Sequence, residues 1–335
     1  MSFKTIAFFN NKGGVGKTSL LYHLAWMFRE LGVKVLAVDL DPQSNLSAAF
    51  MQDEELEEFW PEGPHPRTIL GAVSPLMEHE GDIAPVEAVR IADNLSLVVG
   101  DLGLGEFEER LSKGWADCLT DDRPVARDGF RVISAFHRII AAARDRGGFE
   151  VALVDVGPSV GALNRAALVA SDHVVIPLAA DLFSLQGLRN LGRTLRKWRE
   201  GWNERRVRRT VPPGLELPLG SMAPLGYVLM SPSMRQNRPV QAYARWGARI
   251  PAVYAHSILG SDAVLPSACL AEVKHFKSLM PMAQDARRPV FMLTGADGAI
   301  GGHAAAVRDT YALFEALAQR VVSDAGIRSE PIHRA

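Results

Sequence analysis

An α/β fold with a mostly parallel, twisted sheet and helices on both faces is what this sequence predicts, and three observations carry the prediction. Apolar runs alternate with helix-periodic stretches almost to the end of the chain, the pattern of a parallel sheet whose crossovers cover both faces. A glycine-rich segment, Lys12-Gly13-Gly14-Val15-Gly16-Lys17-Thr18, separates the first apolar run from the first amphipathic one. Two later apolar runs each stop at an aspartate, Asp39 and Asp155.

The first run, Thr5-Ile6-Ala7-Phe8-Phe9, reads as a strand, and Leu20, Leu21, Leu24, Ala25 and Phe28 recur behind the glycines at helical spacing. Strand, glycine loop and helix together are the context that a phosphate-binding loop requires. Gly13, Gly14 and Gly16 let the backbone around Val15 wrap closely and aim N–H groups inward. The positive end of the following helix adds to the attraction for an anion. Lys17 is expected to reach the β- and γ-phosphates and the Thr18 hydroxyl to ligate Mg²⁺, with Ser19 completing the phosphate-binding set. Lys12 is the unusual member, since an ordinary loop of this type needs no lysine ahead of its glycines.

Further strands are expected at Val33–Val38, Leu95–Gly100, Val151–Val154, His173–Pro177 and Leu225–Met230. A closing helix is expected over about Ala304 to Val322, where Val307, Tyr311, Phe314, Leu317 and Val321 share a face. The polar stretch Ser323–Ala335 reads as a disordered tail, so residues 1–323 form one domain and 324–335 follow it. Residues 51–93 mix acidic residues with Pro and Gly, and residues 104–130 are charged and interrupted by Gly114, Pro124 and Gly129. Both read as insertions on the scaffold rather than as a second domain.

Composition narrows the classes. Over 335 residues, 47% hydrophobic and 22% charged content suits a globule with a substantial core. Cys118 and Cys269 stand alone without a CxxC pair, which disfavours a structural metal, an iron–sulfur cluster or a secreted disulfide scaffold. No apolar run approaches the roughly 20 residues that span a bilayer, and the N-terminal run passes straight into the glycine loop instead of a cleavage site. A cytoplasmic location without stable membrane insertion is the expectation.

Asp39 and Asp41 lie in Asp39-Leu40-Asp41-Pro42-Gln43 directly after the second strand, and Asp155 ends another. Carboxyl ends of strands line the ligand crevice of an open α/β sheet, so all three face the site of Lys17. Carboxylates beside a polyphosphate need a reason to be there. Coordinating Mg²⁺, directly or through water, is one, and orienting an attacking water is another. Gly157-Pro158 behind Asp155 would let that loop rearrange when a γ-phosphate leaves.

On these motifs the chain resembles the ParA/MinD family of P-loop NTPases, whose deviant phosphate loop is written KGGVGKT, and Asp39-Leu40-Asp41-Pro42-Gln43 resembles its partition branch. Asp155-Val156-Gly157-Pro158-Ser159 is similar to the family's Asp-Thr-Pro-Pro-Ser switch, with Val156-Gly157 in place of Thr-Pro. Leu185-Gln186-Gly187-Leu188, Gly226-Tyr227-Val228-Leu229-Met230 and Arg288-Pro289-Val290 also fit its course. Many relatives carry a base-contacting Asn near the strand end that here reads Leu229-Met230-Ser231. The resemblance implies an ATPase that uses ATP and Mg²⁺ and forms a homodimer in its ATP state. Lys12 would cross to the partner's phosphates, Lys17 and Thr18 would hold phosphate and metal, and Asp41 would position the hydrolytic water. Asp39 and Asp155 would support the metal and its waters. The implied partners are non-specific DNA, with a nucleoid-associated location, and a ParB-like stimulating protein.

The stretch from Arg189 to Arg209 holds Arg189, Arg193, Arg196, Lys197, Arg199, Arg205, Arg206, Arg208 and Arg209, with Trp198 and Trp202 between them. It reads either as a footprint for DNA phosphates or as a solvated helix face with its tryptophans packed on the body. Arg235 and Arg238 could extend a basic surface or cap a loop, and His137, His275 and His303 read as structural or surface residues. No helix-turn-helix precedes Lys4, so operator binding is not expected. A MinD-like membrane switch would carry a basic amphipathic C-terminal helix, which Asp324–Ala335 does not resemble. A metabolic synthetase on this scaffold is disfavoured by Lys12 and the Asp-Pro-Gln motif, and a switch for a non-DNA cargo stays open.

Overall fold

Among the residues that the computed structural model describes (3–208, 211–231, 240–274, 276 and 278–327), eight strands form one sheet. They are β1 (Lys4–Phe8), β2 (Val35–Asp39), β3 (Val89–Ala92), β4 (Leu95–Val98), β5 (Val151–Asp155), β6 (His173–Ala179), β7 (Ala223–Met230) and β8 (Cys269–Val273). Across the sheet the order is β3-β4-β2-β5-β1-β6-β7-β8. Only the β3–β4 pair is antiparallel, and the other neighbours run parallel. β3 and β8, the two edges, are strands that the sequence pattern did not announce.

The helices are α1 (Lys17–Glu30), α2 (Asn45–Phe50), α3 (Asp53–Glu57), α4 (Ile69–Met77), α5 (Phe107–Asp117) and α6 (Arg123–Ile133). They continue with α7 (Ala135–Gly147), α8 (Ala162–Val169), α9 (Leu182–Arg206), α10 (Val240–Gly247), α11 (Ile250–Tyr254), α12 (Leu279–Asp285) and α13 (Gly302–Asp324). Two buried layers follow from the two-residue period of the strands. Ala7, Leu36, Val38, Ala152, Val154, Val174 and Ile176 face one layer, built with α4 to α9. Their neighbours Ile6, Phe8, Val35, Ala37, Val151, Leu153 and Val175 face the other, built with α1, α2 and α13.

Residues 104–130 are woven into the first layer, where Phe107, Leu111, Cys118 and Phe130 are fully buried. The glycines that break the sequence pattern there mark a close helix crossing. A Cβ on Gly129 of α6 would sit 2.8 Å from the Gly114 carbonyl of α5, so the two backbones touch where side chains would hold them apart. Pro124 occupies the first turn of α6, with Asp122 as its N-cap, a position that needs no N–H donor. At the other end of the chain, Ser323 and Asp324 belong to α13, and Ala325 and Ile327 pack into the second layer. Residues 328–335, and with them most of the expected tail, lie outside the described residues, as do Arg209, Arg235, Arg238 and His275.

Candidate nucleotide site

Strand order reverses at β1, which lies between β5 and β6. The crevice at such a reversal is where an open parallel sheet binds ligands. The loop leaving β1 enters it. Gly14 and Gly16 have φ of 70° and 84°, left-handed values that favour glycine. Gly16 caps α1, and a Cβ there would meet the Met230 methyl at 3.1 Å. Asn10 braces the base of the loop by donating to the Pro177 carbonyl at 2.6 Å while its own oxygen accepts from the Lys12 amide at 3.0 Å. Lys17 is buried at the start of α1, and its pKa falls below 10.5 because burial disfavours the ammonium, an effect that Asp155 and Asp41 partly offset.

Phe8, Asp155 and Asp39 are register partners across β1, β5 and β2. The strand-end aspartates therefore stand at one level, as the sequence implied, but they are used differently. Asp39 Oδ2 accepts from both the amide and the hydroxyl of Ser47 at 2.8 Å, and Oδ1 accepts from the Asp41 amide at 3.3 Å. Gly100 closes this pocket, since a Cβ there would lie 2.8 Å from Asp39 Cγ. Asp39 thus organises the turn that carries Asp41. Asp155 accepts from the Thr18 hydroxyl at 2.6 Å through Oδ2, while its Oδ1 is buried and has no protein partner.

Burial raises both carboxyls, Asp39 to about 6 and Asp155 to about 8, the second helped by the nearby Asp39 charge. The orphaned Asp155 oxygen beside the Thr18 hydroxyl offers oxygen donors suited to a hard divalent cation, whose charge would favour the ionised forms of both acids. Asp41 is buried, accepts from the Gln43 amide at 3.0 Å and faces the loop behind β5. A Cβ on Gly157 would stand 3.1 Å from Asp41 Oδ1. The glycine at a position where the family writes proline therefore brings the loop backbone against this carboxylate.

Two neighbours of the site were not legible in sequence. Asp181, the N-cap of α9, pairs with Lys12 at 2.5 Å across 169 residues of chain. Glu108 of α5 accepts from the amides of Ala162 and Leu163, which open α8 behind the Asp155 loop. Neither sits in a motif; only the fold joins them to the loop.

The basic stretch divides in two. Trp198 and Trp202 are buried, as the packed reading expected. Arg205 donates to the Trp115 carbonyl at 2.7 Å and lies 3.9 Å from its ring centre. Arg206 donates to the Leu219 carbonyl, Arg208 to that of Leu119, and Arg199 to that of Met222. Arg189, Arg193 and Lys197 are exposed along one face at four-residue steps. Arg196 is also exposed but binds the Ser257 carbonyl at 2.6 Å. His137 faces Glu216 at 3.5 Å and His303 meets the Ser278 hydroxyl at 3.0 Å, both away from the crevice.

A β1–glycine loop–α1 unit at the reversal point, with acidic strand ends on either side, defines a P-loop nucleotide-binding protein. The family model described as an AAA domain (AAA_31) matches residues 3–206, and the chain belongs to that family, on its ParA-like side. IncC of Escherichia coli is 34% identical over 199 residues, which are 59% of this chain and 47% of that protein. The chromosome partitioning protein ParA of Caulobacter vibrioides is 28% identical over 202 residues, 60% of this chain and 66% of that one. The chain thus spans from about half to two thirds of the length of these relatives. Among solved structures, protein DIP2308 of Corynebacterium diphtheriae superposes with a TM-score of 0.70 at 25% identity, covering 96% of this chain and 98% of that one. McdA of Cyanothece, in a complex with ATP, gives 0.64 at 16% identity, covering 98% of each. Among the described residues no helix is long and apolar enough to cross a membrane.

Proposed function

We propose that this protein is an ATP-dependent dimerising switch that hydrolyses ATP and positions DNA. The observation that carries the reading is the convergence on one crevice of the glycine loop, the Thr18–Asp155 hydrogen bond and Asp41 against Gly157. The amides of residues 13–19 would cradle the phosphates, with Lys17 offsetting their charge. Asp41 would accept a hydrogen bond from a water and align it with the γ-phosphorus. The water oxygen bonds to phosphorus as the bond to the β–γ bridging oxygen breaks, giving ADP and phosphate.

Thr18 and the free oxygen of Asp155 are the groups that would hold Mg²⁺ together with phosphate oxygens, and Asp39 would support them by fixing the turn before Asp41. Mg²⁺, when bound, would neutralise charge on the β- and γ-phosphates. Among the described residues no group of three His, Cys, Asp or Glu side chains could hold a metal, and a Mg²⁺ shared between protein and nucleotide requires none. Lys12 would leave Asp181 and reach the phosphates of a second copy, so that ATP joins two chains.

Exposed Arg189, Arg193 and Lys197 support a surface for DNA phosphates. The complex of McdA with ATP and the chromosome partitioning function of ParA support the same class of switch. A ParB-like protein would then stimulate turnover. The test measures DNA binding with ATP, with ADP and without nucleotide, alongside phosphate release. Salt-sensitive, sequence-independent binding seen only with ATP is the expected result. Hydrolysis without any DNA binding would redirect the reading to a non-DNA cargo, and no hydrolysis would overturn it.

A further inference from the structure

The structure assigns to Glu108 a role that no motif marks: we propose that it is a positioning residue for hydrolysis, holding the loop behind Asp155 from outside the crevice. This inference rests on the ATPase reading above. Glu108 lies on α5, and its two carboxylate oxygens accept from the Ala162 amide at 2.5 Å and the Leu163 amide at 2.7 Å. These are the first two N–H groups of α8, which have no partner within the helix. A carboxylate there also meets the positive end of the helix dipole. The fit leaves no slack, because a Cβ on Gly161 would fall 2.4 Å from Glu108 Oε1.

The other end of the loop is fastened from below. Buried Asn164 donates to the carbonyls of Gly157 and Ser159, each at 2.7 Å. Residues 157–163 are therefore bracketed by one side chain of α8 and one of α5. Gly157 in turn lies against Asp41. If the bracket opens, the backbone that confines Asp41 on one side loses its anchor, and a displacement of about 1 Å at a reacting group is enough to cost orders of magnitude in rate. Helix α5 is itself tied down. The Arg165 guanidinium of α8 lies 4.3 Å from the Trp115 ring centre, and Arg205 of α9 binds the Trp115 carbonyl. Glu108 thus transmits the position of a rigid three-helix contact to the loop that must answer to the γ-phosphate.

The experiment compares wild type with Glu108→Ala, Glu108→Asp and Glu108→Gln. Steady-state ATPase is measured with Mg²⁺, and amide hydrogen exchange is followed across residues 156–163 with and without nucleotide. Ala and Asp, which remove the carboxylate or retract it, should lower kcat by about tenfold or more with KM for ATP changed little. Gln keeps one acceptor and should recover part of the loss. Exchange at 156–163 should quicken in the Ala variant while β1, β2 and β5 stay protected. Unchanged kcat would overturn the proposal, as would equal losses in all three variants accompanied by a matching fall in Tm. Should wild type itself fail to hydrolyse ATP, the functional reading falls; unchanged exchange at 156–163 would then remove the Glu108 bracket as well, and faster exchange would retain it.

Discussion

Lys12, the residue that opens the glycine run, ends 2.5 Å from Asp181 Oδ2 in its own chain and 6.0 Å from the centre of the Phe183 ring. A lysine proposed to reach into a second subunit is therefore already engaged at home. In the proposed dimer, exchanging one partner for the other would set a threshold for dimerisation. The Asp181 side chain is 15% exposed and that of Lys12 34%, so the pair is part-buried and only partly screened by water. Asp181→Asn keeps an oxygen to accept from the Ser184 amide, which caps α9, while removing the charge that retains Lys12. Sedimentation should show this variant dimerising at lower ATP concentration than wild type. Lys12→Ala should stay monomeric at saturating ATP while still binding nucleotide, and an unaltered dimer would remove the cross-subunit role.

Asp41→Ala should leave nucleotide binding intact and reduce phosphate release by about a hundredfold or more, the scale expected for a group that acts on the reacting water. Single-turnover measurement separates this from a binding defect. Normal turnover in the variant would take the water-positioning role away from Asp41.

The divided basic helix gives opposite expectations for its two ends. Replacing Arg189, Arg193 and Lys197 with Ala should weaken DNA binding and reduce the salt slope by about 2 to 3, close to one for each phosphate no longer neutralised. Tm should stay within a degree or two. Arg205→Ala should instead lower stability by about 1–3 kcal/mol, since it removes a buried bond to the Trp115 carbonyl and a stacked guanidinium. Equal loss of DNA binding from both ends would contradict the division.

His23 gives stability a pH dependence with a definite sign. It is fully buried on α1, its Nδ1 donates to the Ser19 carbonyl at 2.7 Å, and its Nε2 accepts from the Val290 amide at 3.1 Å. The ring stacks on Phe314 with centroids 5.0 Å apart. Burial lowers its pKa to about 4 from 6.5, against the opposing pull of the Ser19 carbonyl. Because the folded value lies below the unfolded one, its contribution is complete above pH 6.5. It is lost as pH falls from there to about 4, amounting to about 3 kcal/mol. His23→Phe should be less stable than wild type at pH 7.5, with the Val290 amide left unpaired, but should show a shallower acid slope in denaturant titrations. Identical slopes would mean that His23 does not titrate on unfolding.

Much of this architecture was legible because β1, β2, β5 and β6 are buried on both faces and so appear as unbroken apolar runs. The edge strands were not. Val89-Arg90-Ile91-Ala92 is only partly buried, and Cys269–Val273 is also partly buried and carries a glutamate outward. The same limit hid α5 and α6 as helices, because Gly114 and Gly129 look like breaks until the second helix is seen to need them. The phosphate loop and the three aspartates could be read because their meaning lies in local spacing. Asp181 and Glu108 could not, since what defines them is a neighbour 169 or 54 residues away.

The two ends of α9 leave the protein two independent routes of change. Residues near its C-terminal end answer to Trp115, Leu119 and Leu219, so drift there would be felt by every function of the molecule at once. Arg189 and Arg193 reach Gln186 and Asn190 on the same exposed face, and Lys197 continues that face one turn further on. Their charges can be gained, lost or reversed over generations, or by an engineer, with the folded body left as it is. If the proposed switch holds, rewriting these three surface positions would change what it binds and leave its nucleotide crevice untouched.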